Sequence, residues 1–353
     1  MAGAQAQVLS AAQMSVGART RSVSIRDLYN ALWKERTLVR AWGMRRTMFL
    51  LPSDELALYA RGSYRRSAYN LSRAQEQVGS TKALHKVLDD LVEILDEPRR
   101  RKDIARLLGS KGYRIESKAG GGWGDSSAVP WVKVGGTLLS VGFLIHVAAA
   151  QEVICAGPPL GNESTYVRAE KWLPRWKDIS VEKAEQELLA KYLRAYGPAT
   201  LTDFALWVGM YAPDAKEIWG LQEENMARVE VEGRTGWILR SDISDLERAE
   251  VRGPVVRLLP YFDSFLLGHR SHWDVVDEAY RKRVFRPQGW VSPVLLVDGN
   301  ARGVWSLVQN GEELEVRIMP FKRLSSAVTS GIHKEASELG RFLQCSSVEV
   351  VVK

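Results

Sequence analysis

The stretch Val181–Arg240, VEKAEQELLAKYLRAYGPATLTDFALWVGMYAPDAKEIWGLQEENMARVEVEGRTGWILR, decides the fold. Val181, Ala184, Leu188, Leu189, Tyr192, Leu193 and Tyr196 recur at three- and four-residue steps, so they share one helical face. Gly197-Pro198 stops that helix. Thr202-Asp203 suits the cap of a second helix, Phe204–Val208, which Gly209 ends. Pro213 opens a third helix, Asp214–Leu221, at a position where proline is tolerated. Met226–Val231 and Gly236–Leu239 alternate as strands around the turn residues Glu232-Gly233-Arg234-Thr235. Three helices and a hairpin in that order predict a winged helix-turn-helix. The third helix is of the kind that enters a DNA major groove. A winged helix used only for packing or protein contact has the same element order.

Outward from this unit, 353 residues allow two to four domains. No apolar run approaches the roughly 20 residues of a membrane span, and the N-terminus lacks the layout of a secretory signal. Cys155 and Cys345 are too few for a disulfide framework or a cysteine zinc site, which fits a reducing cytoplasm. His85, His146, His269, His272 and His333 form no metal-ligand pair, so no metal and no cofactor is expected. The net charge is +7. It is uneven: Met1–Lys118 carries 22 Lys and Arg against 12 Asp and Glu, a balance of +10, and the remainder is 27 against 30. A basic third suggests a polyanionic partner.

Near the start, Gln5-Ala6-Gln7 sets two amides either side of a small residue. In extended chain, residues two apart point the same way. Two such amides suit holding one water but not deprotonating it, because an amide is a poor base. Ser24–Trp33 reads as a helix with Ser24 as cap and Asp27 three residues on. Leu38–Trp42 and Thr47–Leu51 read as a second wing-like hairpin, with Arg40, Arg45 and Arg46 along it, suited to phosphates. On the next helix, Tyr64, Arg65, Arg66, Tyr69 and Arg73 interleave bases with aromatics. Leu84–Leu95 is amphipathic. Arg99, Arg100, Arg101 and Lys102 then open a helix running to Gly109. Four bases there oppose the helix dipole, a cost easier to understand if they face phosphate. Gly120-Gly121-Gly122 marks a loop without P-loop spacing. Trp131–Val147 reads as a buried helix with some strand. Gln151–Ala156 and Ser164–Arg168 bracket another hairpin. After Pro254 the period changes to two: Val294–Val297, Gly303–Val308, Leu314–Ile318 and Val348–Val352 read as strands, with a helix at Gly331–Phe342. Asp263 at the entrance to this region suits capping backbone N–H groups, with His269, Arg270 and His272 nearby.

These motifs resemble the AlkZ-type family of bacterial DNA glycosylases. That family's pattern runs from Gly-x-Gln-x-Gln to an R-x-W-x-x-R-G-T-x-H-x-x-P hairpin. Gly3, Gln5 and Gln7 match the first motif. Arg40, Trp42, Arg45, Thr47 and Pro52 match the second. Tyr196–Thr200 with Asp203 and Trp207, and Leu259–Asp263 with Leu266–Gly268, resemble its later winged helix and the entry to its C-terminal barrel. Phe49 and Arg46 depart from it, standing where the family usually has His and Gly. The chain also starts almost on the Gln motif, so the expectation is a first winged helix lacking part of its core, from a late start.

The resemblance implies an α+β protein: tandem winged helix-turn-helix units over about 1–75, 76–178 and 179–248, then a small antiparallel β-barrel-like domain over 249–353. It implies a monofunctional glycosylase acting on alkylated, even crosslinked, purines in double-stranded DNA. In this reading Gln5 and Gln7 position the attacking water, and no lysine is placed for lyase chemistry. Arg40, Arg45, Arg46, Arg65, Arg66, Arg99, Arg100, Arg101 and Lys102 are the expected DNA contacts. The protein is expected to be a cytoplasmic monomer. A winged-helix DNA-binding protein or regulator without enzymatic activity is the alternative, and an interaction scaffold a third reading that the basic N-terminal third disfavours.

Overall fold

A computed structural model describes residues 1–118, 129–251, 253–270 and 275–353. The glycine-rich loop at Gly120–Gly122 and His272 fall outside them. Two compact units emerge. One comprises Met1–Asn30, Leu188–Val208 and Ala212–Lys353; the other comprises Ala31–Glu187 with Gly209–Tyr211.

The Val181–Arg240 stretch has the predicted helices Val181–Tyr196, Leu201–Val208 and Ala212–Gly220, followed by the antiparallel pair Met226–Val231 and Arg234–Leu239. Its second helix starts earlier than the residue pattern suggests. Thr200 is the cap: the Asp203 carboxylate accepts from the Thr200 backbone N–H at 2.9 Å, and the Asp203 N–H donates to Thr200 Oγ1 at 3.2 Å. Such a reciprocal cap satisfies two helix-end donors at once. Tyr192, Phe204, Trp207 and Trp219 are buried around one another; Tyr192 and Trp207 lie 4.9 Å apart, centroid to centroid. Each side chain of this size contributes roughly 1.5–3 kcal/mol on full burial. Val181, at the helix start, is exposed.

In the Ala31–Glu187 unit, Leu38–Trp42 pairs antiparallel with Met48–Pro52. Helices Leu56–Gly62, Tyr64–Val78 and Thr81–Glu93 follow. The basic run divides: Arg99–Arg100 is a short strand paired with Thr165–Tyr166, and only Arg101–Ser110 is helix. The segment Trp131–Val147, expected as a buried helix with some strand, resolves into the strands Val129–Val134 and Thr137–Ser140 and then the helix Val141–Ala149. Ile154–Leu160 and Glu163–Arg168 form the expected hairpin. Leu84, Val87, Leu91, Ile104, Leu108 and Leu144 build this unit's core.

The C-terminal region is not the expected antiparallel barrel. Strands Val256–Leu259, Val294–Val297, Asn300–Asn310, Glu313–Pro320 and Ser347–Val352 form one sheet in that order, and the first and last strands are its two edges. The first four pair antiparallel, but Ser347–Val352 runs parallel to Glu313–Pro320. The reason lies in the connection. A parallel return needs a long crossover, here the helix Ser326–Leu343. Ile332 and Ala336 of that helix are buried with Val256, Leu314 and Val316 of the sheet. With one face covered by a helix, the sheet buries its apolar side without closing on itself. Gly340 allows the close approach, since a Cβ there would lie 2.3 Å from Val348 Cγ2.

Candidate nucleic-acid interface

The glutamine motif lies in the first unit. Ala4 and Gln5 form a short strand, and Ala2, Ala4 and Ala6 are buried at 2%, 1% and 0% exposure. Gln5 is partly accessible and Gln7 exposed. The small residues Ala2, Gly3, Ala4 and Ala6 are buried, and both glutamines keep solvent access, Gln5 at the end of the short strand and Gln7 in the bend that follows it.

The helix Leu9–Gly17 follows at once, and Val8 packs among Phe262 and Leu266. The helix is anchored by Asp263, whose side chain is fully buried. Arg19 grips its two oxygens from Nη1 at 2.8 Å and Nη2 at 2.7 Å, and Ser15 Oγ donates to it as well. The Phe265 N–H donates to Asp263 at 3.0 Å, the capping role expected for this residue. Burial opposes the Arg19 charge, but the Asp263 hydrogen bonds and charge outweigh it and raise the guanidinium pKa. A buried carboxylate with four donors is a satisfied charge. Nearby, His269 Nε2 lies 3.1 Å from the Pro198 carbonyl, and the Arg270 N–H donates to Asp203 at 2.7 Å.

The expected DNA-contacting residues all lie in the Ala31–Glu187 unit and fall into distinct settings. Arg40 is half-buried on its strand, and burial lowers its pKa. Arg45 and Arg46 occupy the hairpin turn, Arg46 exposed and Arg45 partly so. The Arg45 guanidinium lies 5.9 Å from the centroid of Phe49, a side chain only 1% exposed. Arg65 makes a two-pronged ion pair with buried Glu185, at 2.7 and 3.0 Å. The Arg66 side chain lies outside the described residues.

The basic run is largely neutralised. Arg99 pairs with Asp96 at 3.2 Å and Glu97 at 3.0 Å, Arg100 with Asp103 at 2.8 Å, and Lys102 with Glu163 at 2.8 Å. Arg101 differs. It is exposed, lies 5.8 Å over the Tyr166 ring, and pairs with no carboxylate among the described residues.

Sequence reasoning missed the groups around Trp42. This ring stacks on Tyr166 at 5.6 Å and meets the edge of His146 at 6.0 Å. Burial, and secondly the Arg46 charge, pushes the His146 imidazole down to about 4. His146 sits in an otherwise apolar helix, and no local pattern singles it out. Ser15 and Arg19 were missed for another reason: their partner is remote in sequence.

Among the described residues, no group of three His, Cys, Asp or Glu side chains is arranged to hold a metal ion. Among them, no helix is long and apolar enough to cross a membrane.

The chain is similar along nearly its whole length to known proteins. A family model described as DNA glycosylase AlkZ-like matches residues 1–342. A curated protein of Streptomyces sahachiroi, an interstrand DNA cross-link repair glycosylase, is 28% identical over 367 residues, covering 99% of this chain and 91% of the relative. The solved structure of the Streptomyces sahachiroi DNA glycosylase AlkZ superposes with a TM-score of 0.78 at 25% identity, covering 99% of this chain and 91% of that one.

Proposed function

This chain belongs to the AlkZ-like family of DNA glycosylases, and from that premise we propose that it binds double-stranded DNA and hydrolyses the N-glycosidic bond of alkylated purines, crosslinked ones included. The observation that carries the proposal is the burial pattern at Ala4–Gln7, in which Ala4 and Ala6 are buried while Gln5 and Gln7 keep solvent access.

The chemistry suits amides. A purine alkylated at N7 or N3 is cationic. When its bond to C1′ breaks, the electron pair passes to the base and neutralises it, so departure needs no strong acid. The sugar becomes positively charged and is captured by water. Gln5 and Gln7 hold that water through their side-chain carbonyl oxygens, which also face the developing positive charge favourably. The proton lost from the water passes to bulk solvent, since neither amide is a base. The products are the free base and an abasic site. Arg40, Arg45, Arg46 and Arg101 neutralise phosphates in this reading, and the protein acts as a cytoplasmic monomer without cofactor.

The test is release of 7-methylguanine from a duplex, and unhooking of a duplex crosslinked through purine N7 atoms, both followed by abasic-site cleavage. Excision lost in Gln5→Ala with Gln7→Ala supports the reading. Tight duplex binding by a wild type that excises neither substrate would instead favour a DNA-binding protein without enzymatic activity.

A further inference from the structure

The hairpin turn Gly43–Thr47 is closed by Gly43 N–H to the Thr47 carbonyl at 3.0 Å and by Thr47 N–H to the Met44 carbonyl at 3.1 Å. Within it, Arg45 and Arg46 have φ of 54° and 58°. Two successive L residues in the left-handed region are unfavourable, and strain of this kind gathers where a side chain has to be presented. The turn presents two guanidinium groups.

A second segment is laid against this turn. Gly209 has φ of +83°, and a Cβ there would lie 2.9 Å from Arg45 Cα. Only glycine suits both the conformation and the contact. Two residues on, the Tyr211 ring meets Tyr69 edge to face, centroids 5.8 Å apart and planes at 86°. Both tyrosines are exposed, at 46% each. A pair that served only to pack would hide its faces; this one leaves about half of each side chain to solvent, two residues along from the point where Gly209 meets Arg45.

Accessible rings on a segment that touches the arginine-bearing turn suit a ligand that is both aromatic and anionic. Nucleic acid with an unstacked base is such a ligand. Fully paired duplex offers the phosphates but hides its base faces. We propose that the Arg45–Arg46 turn and the Tyr69–Tyr211 pair form a stacking platform for an unpaired nucleobase, with the tyrosines taking the base face and the arginines the flanking phosphates. The platform rests on the DNA-binding reading and not on the glutamine chemistry.

The full-length protein is titrated with a fully paired duplex and with the same duplex carrying one central unpaired base, replaced in a parallel series by fluorescent 2-aminopurine. The wild type is expected to prefer the unpaired-base duplex about tenfold, a typical scale for one stacked base, and to quench the 2-aminopurine. Tyr69→Ala and Tyr211→Ala should abolish the preference and the quenching, with paired-duplex affinity within about twofold of wild type; Tyr69→Phe and Tyr211→Phe should retain both. Arg46→Gly should weaken both duplexes alike and reduce the salt slope by about one. Wild type that binds both duplexes equally, or alanine variants that keep the preference, overturns the platform while leaving DNA binding intact. Wild type that binds neither duplex overturns the DNA-binding reading, and the platform with it. Circular dichroism of each variant separates lost stacking from lost fold.

Discussion

Arg19 and Asp263, 244 residues apart in the chain, meet in a two-pronged ion pair with the carboxylate entirely buried. Ser15 joins them, so one carboxylate ties the helix following the glutamine motif to the Leu259–Leu267 segment. Asp263→Ala strips the pair of its anion and leaves Arg19 partly buried without compensation. Removing one partner of a buried pair costs about 3–5 kcal/mol. The expected result is a large fall in the urea midpoint, with a smaller fall for Asp263→Asn, whose single amide oxygen can still accept from the Phe265 N–H. Equal losses for the two variants would place the stabilisation in packing and not in charge.

Arg46→Gly should move stability and DNA binding in opposite directions. Glycine relieves a left-handed residue, worth about 1–2 kcal/mol, and adds unfolded-chain entropy costing roughly 0.5–1 kcal/mol, so the net gain is about 0.5–1 kcal/mol. Duplex affinity should fall, most at low salt. By contrast, Arg100→Gln and Lys102→Gln should change affinity less, because Asp103 and Glu163 already neutralise these cations. A thermal melt and a salt titration on each variant check both halves.

The helices and hairpin of Val181–Arg240 were legible because they carry their instructions locally: a 3.6-residue stripe, a proline, a reciprocal cap, a turn. The strands after Pro254 were legible as strands for the same reason. Their arrangement was not. Alternation at Val348–Val352 marks a strand but says nothing of its partner or direction, and the helix before it turned an expected barrel into an open sheet with one parallel pair. The glutamine motif was legible, whereas the Arg19–Asp263 anchor was not, because no local pattern joins residues so distant. The run Arg99–Lys102 looked like one cationic patch; Glu163, contributed by a far hairpin, pairs with part of it.

The His146 imidazole titrates near pH 4, depressed first by burial and then by Arg46. An unfolded histidine titrates near 6.5. Between these values the unfolded chain binds the extra proton, so stability is fully present above about pH 6.5 and declines as pH falls towards 4. The loss attributable to this group is on the order of 2–3 kcal/mol. His146→Phe should flatten that part of the stability profile, read as urea midpoints from pH 7.5 to 4.5. An unchanged slope would assign the acid sensitivity to other groups.

Gly340→Ala sets a methyl group 2.3 Å from Val348 Cγ2, where the crossover helix lies on the parallel edge strand. Overpacking of this kind typically costs 1–3 kcal/mol. The melting temperature should fall, and Gly340→Ala with Val348→Ala should recover part of the loss. No recovery in the double variant would mean that the helix shifts as a body and does not clash at one side chain.

Gln5→Ala and Gln7→Ala carry the catalytic reading. Both side chains keep solvent access while the buried positions of the segment are small residues, so truncating either opens no core cavity. Stability should stay within about 0.5 kcal/mol of wild type, as for ordinary surface substitutions. Losing a polar group that acts directly on a transition state costs on the order of 10²–10³ in rate. The effect on 7-methylguanine should be smaller than this, because a cationic base leaves readily unaided. The single-turnover rate should therefore fall in each variant while duplex affinity stays nearly constant, which separates loss of a positioned water from loss of binding. The double variant should fall little below the worse single one, because two amides holding one water act as a unit. Losses that multiply would mean two independent roles. A double variant that excises at the wild-type rate would place the attacking water elsewhere in the site.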